Sequence, residues 1–318
     1  MDKRPLGQTG LSIAPLVFGG NVFGWTVDER RSFELLDAFF DHGFNAIDTA
    51  DSYSMWVPGN KGGESETIIG NWLARSGKRH EAVIITKVGT QLAPDKKGLS
   101  SKRIVQAAED SLRRLKIDAI DLYLSHFPDP ETPIDDTLRG YEQLLRDGKV
   151  KAIGCSNYDA AQLREALGVS ASRNLPRYAV LQPHYNLYER SIFEGELRDL
   201  CVREGLGVIP YFALASGFLT GKYRSKDDLS KSPRGSMIEK FLNPRGLRIL
   251  GALDAVAARH DAKPAEVAIA WLIAQPGVTA PIASATSLEQ LESLVRATRL
   301  DLTREDLDEL DKASAAAP

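Results

Sequence analysis

The sequence predicts an α/β fold of the (β/α)8 TIM-barrel class, preceded by a short N-terminal β-hairpin. Short apolar runs with strand character alternate with longer stretches of helical periodicity from residue 16 onward. This strict alternation is typical of parallel strands joined by right-handed crossovers, and eight such units are the number that closes a barrel. No linker-like shift of composition divides residues 1–318, so we expect one domain.

Turn residues and helix caps delimit the elements of the first half. Residues 4–15 alternate polar and apolar side chains around two glycines, which predicts the hairpin. Asp28 is a candidate N-cap for a helix over 29–42, because a short acidic side chain can accept the first free amides. The other predicted elements are strands at 16–20, 45–47, 83–86 and 120–125 and helices at 65–74 and 101–115.

The second half continues the alternation, with one interruption. A polar stretch at 216–243 contains three glycines and Pro233 and follows neither the strand nor the helix period. The predicted elements are strands at 150–155, 178–182, 207–211 and 279–282, helices at 133–147, 159–167, 194–204, 244–259 and 264–274, and one final helix from Ser287.

Composition restricts the classes of function. Hydrophobic residues make up 43% of the 318 residues, which is enough for a substantial core. A formal charge of −3 provides no electrostatic reason to expect nucleic acid or an anionic membrane as partner. Cys155 and Cys201 stand far apart without metal-ligand spacing, so we expect no metal site and a reducing, cytoplasmic setting. The chain begins without an apolar leader, and no apolar run approaches the roughly 18 residues of a membrane span.

Three predicted strands end beside polar side chains that can handle a proton. Asp48 follows the strand at 45–47, Lys87 follows the next strand and His126 the one after, while Tyr53 lies in the turn after Asp48. Because the carboxyl ends of neighbouring parallel strands meet at one mouth of a barrel, we expect these four side chains to converge.

This set of residue types predicts acid–base chemistry at an oxygen atom. A tyrosine has a reference pKa near 10, and an ammonium within about 4–6 Å lowers it. A buried lysine needs a carboxylate to remain charged, and a histidine can orient a carbonyl group. Each residue alone has an ordinary interpretation, as a cap, a packed aromatic, a solvated lysine or a structural histidine. Together they predict a proton relay, and redox chemistry there would require a cofactor.

Longer motifs surround these residues. They read Asp-Thr-Ala-Asp-Ser-Tyr at 48–53, Ile-Thr-Lys at 85–87, Asp-Leu-Tyr-Leu-Ser-His at 121–126 and Gly-Cys-Ser-Asn at 154–157. They resemble the aldo-keto reductase family over nearly the whole chain. The second half is similar to the branch that includes bacterial general-stress reductases and potassium-channel β subunits. The resemblance implies a TIM barrel, NADPH as cofactor and reduction of a small-molecule aldehyde or ketone.

The resemblance also implies roles for individual residues. Tyr53 would be the general acid, Lys87 and Asp48 would tune it, and His126 would position the carbonyl group. The implied cofactor-binding residues are Gly20, Asn21, Asp48, Ser156, Asn157, Gln182, Tyr211, Phe212, Leu214, Gly217, Lys222, Arg234, Ser284, Thr286 and Gln290. Loop aromatics at the expected mouth, namely Trp25, Trp56 and Phe127, predict an aromatic substrate pocket for a bulky or apolar carbonyl compound.

Several alternatives stay open at this stage. Thr286 stands where many family members have an arginine, so NADH remains a possible cofactor. The chain is also compatible with an alcohol or sugar dehydrogenase working in the oxidative direction, or with a slow-turnover redox-sensing partner protein. A barrel aldolase using Lys87 as a Schiff base is disfavoured, because Asp48 would keep Lys87 protonated. The sequence predicts neither the natural substrate, the physiological direction nor the oligomeric state.

Overall fold

The computed structural model describes residues 2–231 and 235–315. Two short antiparallel strands precede eight parallel strands of a single curled sheet. The hairpin strands are β1 (Arg4–Pro5) and β2 (Ser12–Ile13), and the parallel strands are β3 (Val17–Gly19), β4 (Ala46–Asp48), β5 (Val83–Val88), β6 (Ile120–Ser125), β7 (Val150–Ser156), β8 (Val180–Gln182), β9 (Gly207–Val208) and β10 (Ile282–Ala283).

The eight parallel strands form a closed barrel. Each strand pairs with the next one in the chain, from β3 to β9, and β10 pairs with β3. Between the last two strands, the Thr279 amide donates to the Val208 carbonyl and the Ile282 amide to the Pro210 carbonyl, each at 2.8 Å. The predicted (β/α)8 TIM barrel and its N-terminal hairpin are therefore confirmed.

Ten α-helices surround the barrel in the described residues. They are α1 (Glu29–Asp41), α2 (Glu64–Ser76), α3 (Ser101–Leu115), α4 (Ile134–Arg146), α5 (Ala160–Arg173), α6 (Glu196–Glu204), α7 (Pro244–Arg259), α8 (Pro264–Ala274), α9 (Leu288–Ala297) and α10 (Arg304–Ser314). The predicted cap of α1 is present, since the Asp28 carboxylate accepts a hydrogen bond from the Arg31 amide at 2.8 Å.

Several elements differ from the sequence-based prediction, including β10, which spans Ile282–Ala283 instead of 279–282. Helix α5 does not stop before Gly168 but continues to Arg173, where Asn174 ends it in a left-handed conformation at φ 51°. Strand β9 is shorter than predicted, because Pro210 has no amide hydrogen for the ladder. One further helix, α10, follows α9, and it begins with a capping box between Thr303 and Asp306.

The polar stretch between β9 and α7 contains four short 3₁₀ turns in its described part, at Ala215–Thr220, Lys226–Lys231, Gly235–Met237 and Glu239–Phe241. Among the described residues no helix is long and apolar enough to cross a bilayer, and no group of His, Cys, Asp or Glu side chains could hold a metal ion.

The packing of the barrel closes one end and leaves the other accessible. Buried side chains from the strands fill the interior, among them Val17, Ile85 and Leu122. Leu6 and Ile13 of the N-terminal hairpin belong to the same interior cluster. The hairpin therefore covers the amino ends of the strands, and the barrel is open at their carboxyl ends.

Gly70 in α2 is tightly packed, whereas Gly168 in α5 has open space around its Cα atom. A Cβ on Gly70 in α2 would overlap the backbone of α3, coming within 2.8 Å of the Leu115 carbonyl carbon, whereas a Cβ on Gly168 in α5 would meet nothing within 4 Å. We expect Gly70→Ala to lower the free energy of unfolding by about 1–3 kcal/mol, since the two helices must separate. Gly168→Ala, the matched control, should raise it by ~0.5–1 kcal/mol through helix propensity.

Urea unfolding of both variants measures this difference. Equal stability of Gly70→Ala and Gly168→Ala would show that the close packing of α2 against α3 at Gly70 does not contribute to the free energy of unfolding.

Candidate active site

The carboxyl ends of the strands surround a cleft of about 1120 Å³. Most of the residues predicted to bind the cofactor line this cleft, and three of the four predicted catalytic residues line it as well. The predicted residues in its wall are Asn21, Asp48, Tyr53, Trp56, His126, Phe127, Ser156, Asn157, Gln182, Tyr211, Phe212, Leu214, Gly217, Lys222, Ser284, Thr286 and Gln290.

Lys87 lies directly beneath this wall and is completely buried. Its Nζ donates to Asp48 Oδ2, to the Thr49 carbonyl oxygen and to the Tyr53 hydroxyl, each at 2.7 Å. An ammonium has three N–H donors, and all three are satisfied here. The lysine is therefore held in one position, with a charge-compensating carboxylate on one side and the tyrosine hydroxyl on the other.

Asp48 is the centre of this hydrogen-bond network. Its Oδ2 accepts hydrogen bonds from Lys87 and, at 3.1 Å, from the Tyr53 hydroxyl. Its Oδ1 accepts a hydrogen bond from the Gln182 side-chain amide at 2.8 Å. Strand β4 thus supplies a carboxylate that contacts β5 on one side and reaches β8 on the other, so that the barrel itself fixes its orientation.

The protonation of this cluster follows from its burial. Burial lowers the pKa of the Lys87 ammonium, and the hydrogen-bonded Asp48 carboxylate opposes that shift. Burial and the negative charge of Asp48 raise the pKa of the Tyr53 phenol well above its usual value. This direction is opposite to the lowering expected from a neighbouring lysine alone. Tyr53 is therefore protonated at neutral pH.

His126 lies at the edge of the same cluster. Its Nδ1 is 3.0 Å from the Thr90 hydroxyl, its ring stacks on Phe127 at 4.7 Å, and its centroid is 6.1 Å from that of Tyr53. Burial lowers the pKa of His126 well below its usual value, so the imidazole is neutral at neutral pH. Sequence reasoning missed Thr90, although it lies only three residues after Lys87, in the loop that follows β5.

An aromatic and amide wall continues from this point. Tyr211 donates from its hydroxyl to Asn157 Oδ1 at 2.6 Å, and Asn157 donates to the His126 carbonyl oxygen at 2.9 Å. His184 stacks on Tyr211 with ring centroids 5.2 Å apart. Tyr211 is therefore held in place by Asn157 and His184. The sequence has no motif that would have identified His184 as its neighbour.

The far end of the cleft is polar and contains cations. Thr286 donates to Gln290 Oε1 through its amide and its hydroxyl, at 2.9 and 3.1 Å. Lys222 and Lys263 also line this cleft, and Lys263 is paired with Glu289 at 3.1 Å. Sequence reasoning missed Lys263. Its place immediately before Pro264, where a helix is predicted to begin, is the only local pattern that marks it.

Gly20 was predicted to bind a cofactor, but it does not line the cleft. Gly20 is buried below the cleft, where a Cβ would lie 3.0 Å from the Asp48 carbonyl oxygen and from Ser65 Oγ. Gly20 therefore allows close packing beneath the site. Arg234 lies outside the described residues.

The predicted aromatic pocket is formed by two of its three residues. Trp56 and Phe127 line the cleft and are about half exposed, at 48% and 47%. Trp25 is not part of the cleft wall, and its ring packs edge-on against Trp56 with centroids 5.6 Å apart. Trp25 thus supports the aromatic wall from behind.

Comparison with known proteins identifies the family. Residues 15–315 match the model of the Aldo/keto reductase family. The chain belongs to the aldo/keto reductase family. Its expected resemblance to this family is thereby confirmed, over nearly all of its length.

Full-length relatives support this assignment within the aldo/keto reductase family. The chain is 35% identical to the uncharacterized oxidoreductase YrpG of Bacillus subtilis, covering 96% of this chain and 94% of the relative. It is 32% identical to a probable voltage-gated potassium channel subunit beta of Arabidopsis thaliana, covering 100% and 98%. It is 31% identical to the aldo-keto reductase YhdN of Bacillus subtilis, covering 98% and 93%.

The cleft suits the cofactor class of this family. Aldo/keto reductases are oxidoreductases of carbonyl compounds that use NAD(P)H. The volume of about 1120 Å³ exceeds the usual range of roughly 300–1,000 Å³ for small-ligand sites, as an extended dinucleotide together with a substrate requires. The donor set also fits, since Lys222 and Lys263 can face phosphates. The loop that brings Ser216 and Gly217 into the cleft wall makes a left-handed turn, with φ angles of 47°, 59° and 102° at Ala215, Ser216 and Gly217.

The charges of the buried Asp48–Lys87 pair compensate each other, so the removal of either one should affect stability. Asp48→Asn leaves the ammonium without its carboxylate and should lower the free energy of unfolding by about 3–5 kcal/mol. Lys87→Met added to Asp48→Asn removes the uncompensated charge, so the double variant should be more stable than Asp48→Asn alone.

Denaturant unfolding of the wild type, both single variants and the double variant completes the cycle. Additive effects of the two substitutions would contradict direct coupling between Asp48 and Lys87.

Proposed function

We propose that this protein is an NADPH-dependent reductase that converts an aldehyde or ketone to the alcohol, with Tyr53 as the general acid. The observation that carries this proposal is the position of the Tyr53 hydroxyl, in the cleft wall and 2.7 Å from the buried Lys87 Nζ. A phenol beside a buried ammonium is suited to giving up a proton to an oxygen that becomes negative.

The residues around Tyr53 have different roles in the proposed reaction. His126 is neutral, Thr90 contacts its Nδ1, and we assign the other ring nitrogen to the substrate's carbonyl oxygen. The raised pKa of Tyr53 keeps its proton in place until that oxygen gains negative charge. Tyr53 then transfers the proton to this oxygen, and the Lys87 ammonium stabilises the resulting phenolate. Asp48 keeps Lys87 charged and in place throughout.

The cofactor would occupy the remainder of the cleft. When bound, a reduced nicotinamide dinucleotide supplies the hydride that the carbonyl carbon needs. Tyr211 would offer its ring, Asn157 and Gln182 their amides, and Lys222 and Lys263 their charges. Because no arginine lines the described wall, NADPH preference over NADH would depend on these two lysines and on the hydroxyl groups around Thr286.

The substrate would be an apolar or aromatic carbonyl compound. Met55, Trp56 and Phe127 line the cleft together with Tyr53, and they offer apolar surface close to the proposed acid. Such a pocket favours a flat, apolar substituent on the carbonyl carbon.

The relation to potassium-channel beta subunits supports a second candidate. The chain is 32% identical over its whole length to the Arabidopsis protein of that description, so slow turnover could instead report the redox state of the cofactor to a partner. Turnover that rises with added carbonyl substrate, well above the rate of cofactor oxidation alone, favours the reductase. Faster reaction with alcohol and oxidised cofactor would favour a dehydrogenase.

Tyr53→Phe tests the proposed acid. We expect kcat for carbonyl reduction to fall about 10²–10⁴-fold, because the ring remains and only the proton donor is lost. Binding of NADPH should stay close to that of the wild type, since the phenyl ring keeps the shape of the wall. Both quantities are measured, by steady-state absorbance and by cofactor fluorescence.

Tyr158→Phe is the matched control, because Tyr158 is a buried tyrosine outside the cleft wall. It should retain full activity. Wild-type activity in Tyr53→Phe would exclude Tyr53 as the acid.

A further inference from the structure

A second cavity, of about 410 Å³, lies beside the cleft. It is formed by the segment after β4, the loop after β5 and helix α3. Met55 lines both cavities, whereas Asp51 and Arg103 line only the second. The proposed reaction uses none of its charged side chains.

Arg103 is the unusual feature of this cavity. The residue is only 6% exposed, yet its one side-chain hydrogen bond is a long contact of 3.3 Å from Nη2 to Asp51 Oδ2. Its Nε and Nη1, and Asp51 Oδ1, have no hydrogen-bond partner among the described residues. A buried guanidinium normally has its donors satisfied, often by two parallel bonds to one anion. Arg103 therefore retains donors for a further acceptor.

The charges around the cavity favour an anion. Four cationic side chains and two acidic ones line it, which leaves an excess of two positive charges. Arg114 is already paired with the buried Glu66 at 2.6 Å. Lys61 and Lys96 are exposed, and neither forms an ion pair within residues 2–231 and 235–315. The uncompensated positive charges of Lys61 and Lys96 therefore lie at the rim of the cavity, and the Arg103 guanidinium with its unsatisfied donors lies inside it.

The acid within the cavity carries a weakened negative charge. Burial and the nearby Glu66 raise the pKa of Asp51 to about 7, while Arg103, Arg114 and Lys87 act in the opposite direction. Asp51 is therefore partly protonated at neutral pH, which reduces its repulsion of an anion.

We propose that this cavity binds a small oxyanion, the carboxylate or phosphate group of a metabolite, on Arg103, with Lys61 and Lys96 at its rim. The site is separate from the cleft, and its ligand is not the carbonyl substrate. Asp51 and Met55 flank Tyr53 in the chain, and the Asp51 amide donates to the Lys87 carbonyl oxygen at 3.2 Å. An occupant would therefore contact the segment that carries the proposed acid and change the rate of the reaction.

Isothermal titration of the full-length protein with sodium phosphate, and separately with malonate, tests the site. We expect one binding site per chain in the wild type. The double variant Lys61→Gln/Lys96→Gln should bind at least about tenfold more weakly, because two charge-assisted contacts are lost. These rim substitutions avoid replacing Arg103, which would leave Asp51 unpaired.

Lys97→Gln is the matched control. Lys97 is the neighbour of Lys96, is also exposed to solvent and pairs with Glu131 at 2.8 Å, but it does not line the cavity. Its variant should bind like the wild type. Tighter binding of phosphate than of malonate would indicate a phosphate-bearing ligand, and the reverse order a carboxylate.

Three outcomes would overturn the proposal. These are no binding of either anion, an equal loss of affinity in Lys97→Gln, or loss of binding in Lys222→Gln, which would place the anion in the cleft. Since the readout is binding of an anion without turnover, failure here is distinguishable from failure of the proposed reductase activity.

Discussion

The contact between the Lys87 ammonium, the Asp48 carboxylate and the Tyr53 hydroxyl is the interaction on which the site depends. A charge without any solvent exposure needs close compensation, and this lysine has three acceptors at 2.7 Å. The closed barrel provides them, because β4 and β5 are neighbours and Gln182 reaches Asp48 from β8. Opening the barrel would separate these groups. The hydrogen bonds of the site therefore depend on the closure of the barrel.

Much of this arrangement can be predicted from the sequence, because it depends on local patterns. Alternating strand and helix periods predict the barrel, and the position of Asp48, Lys87 and His126 at strand ends predicts their convergence. Contacts between distant segments are harder to predict. Gln182 and Asp48 are 134 residues apart, and no local pattern indicates their hydrogen bond. The direction of the Tyr53 pKa shift likewise depends on burial, which a sequence does not specify. Helix α10 was missed although its capping box can be read from the sequence.

One segment of the chain serves two cavities. Asp48 and Tyr53 line the large cleft, whereas Asp51, between them in the sequence, lines the smaller cavity on the other side. Polar side chains of the turn that follows β4 therefore face the cleft in some positions and the smaller cavity in others. Membership of the aldo/keto reductase family accounts for the large cleft. The smaller cavity, with its unsatisfied arginine, has no part in the proposed reaction, and its proposed role rests on its own charges.

In the proposed reaction, the large cleft brings a reduced nicotinamide dinucleotide to the Tyr53 hydroxyl. Fluorescence titration of the purified protein with NADPH and NADH, side by side, followed by one equivalent of an aromatic aldehyde, tests it most directly. We expect NADPH to bind more tightly than NADH and the absorbance of the bound reduced cofactor to disappear when the aldehyde is added. Binding of neither cofactor, or a bound cofactor that stays reduced in the presence of the aldehyde, would contradict it.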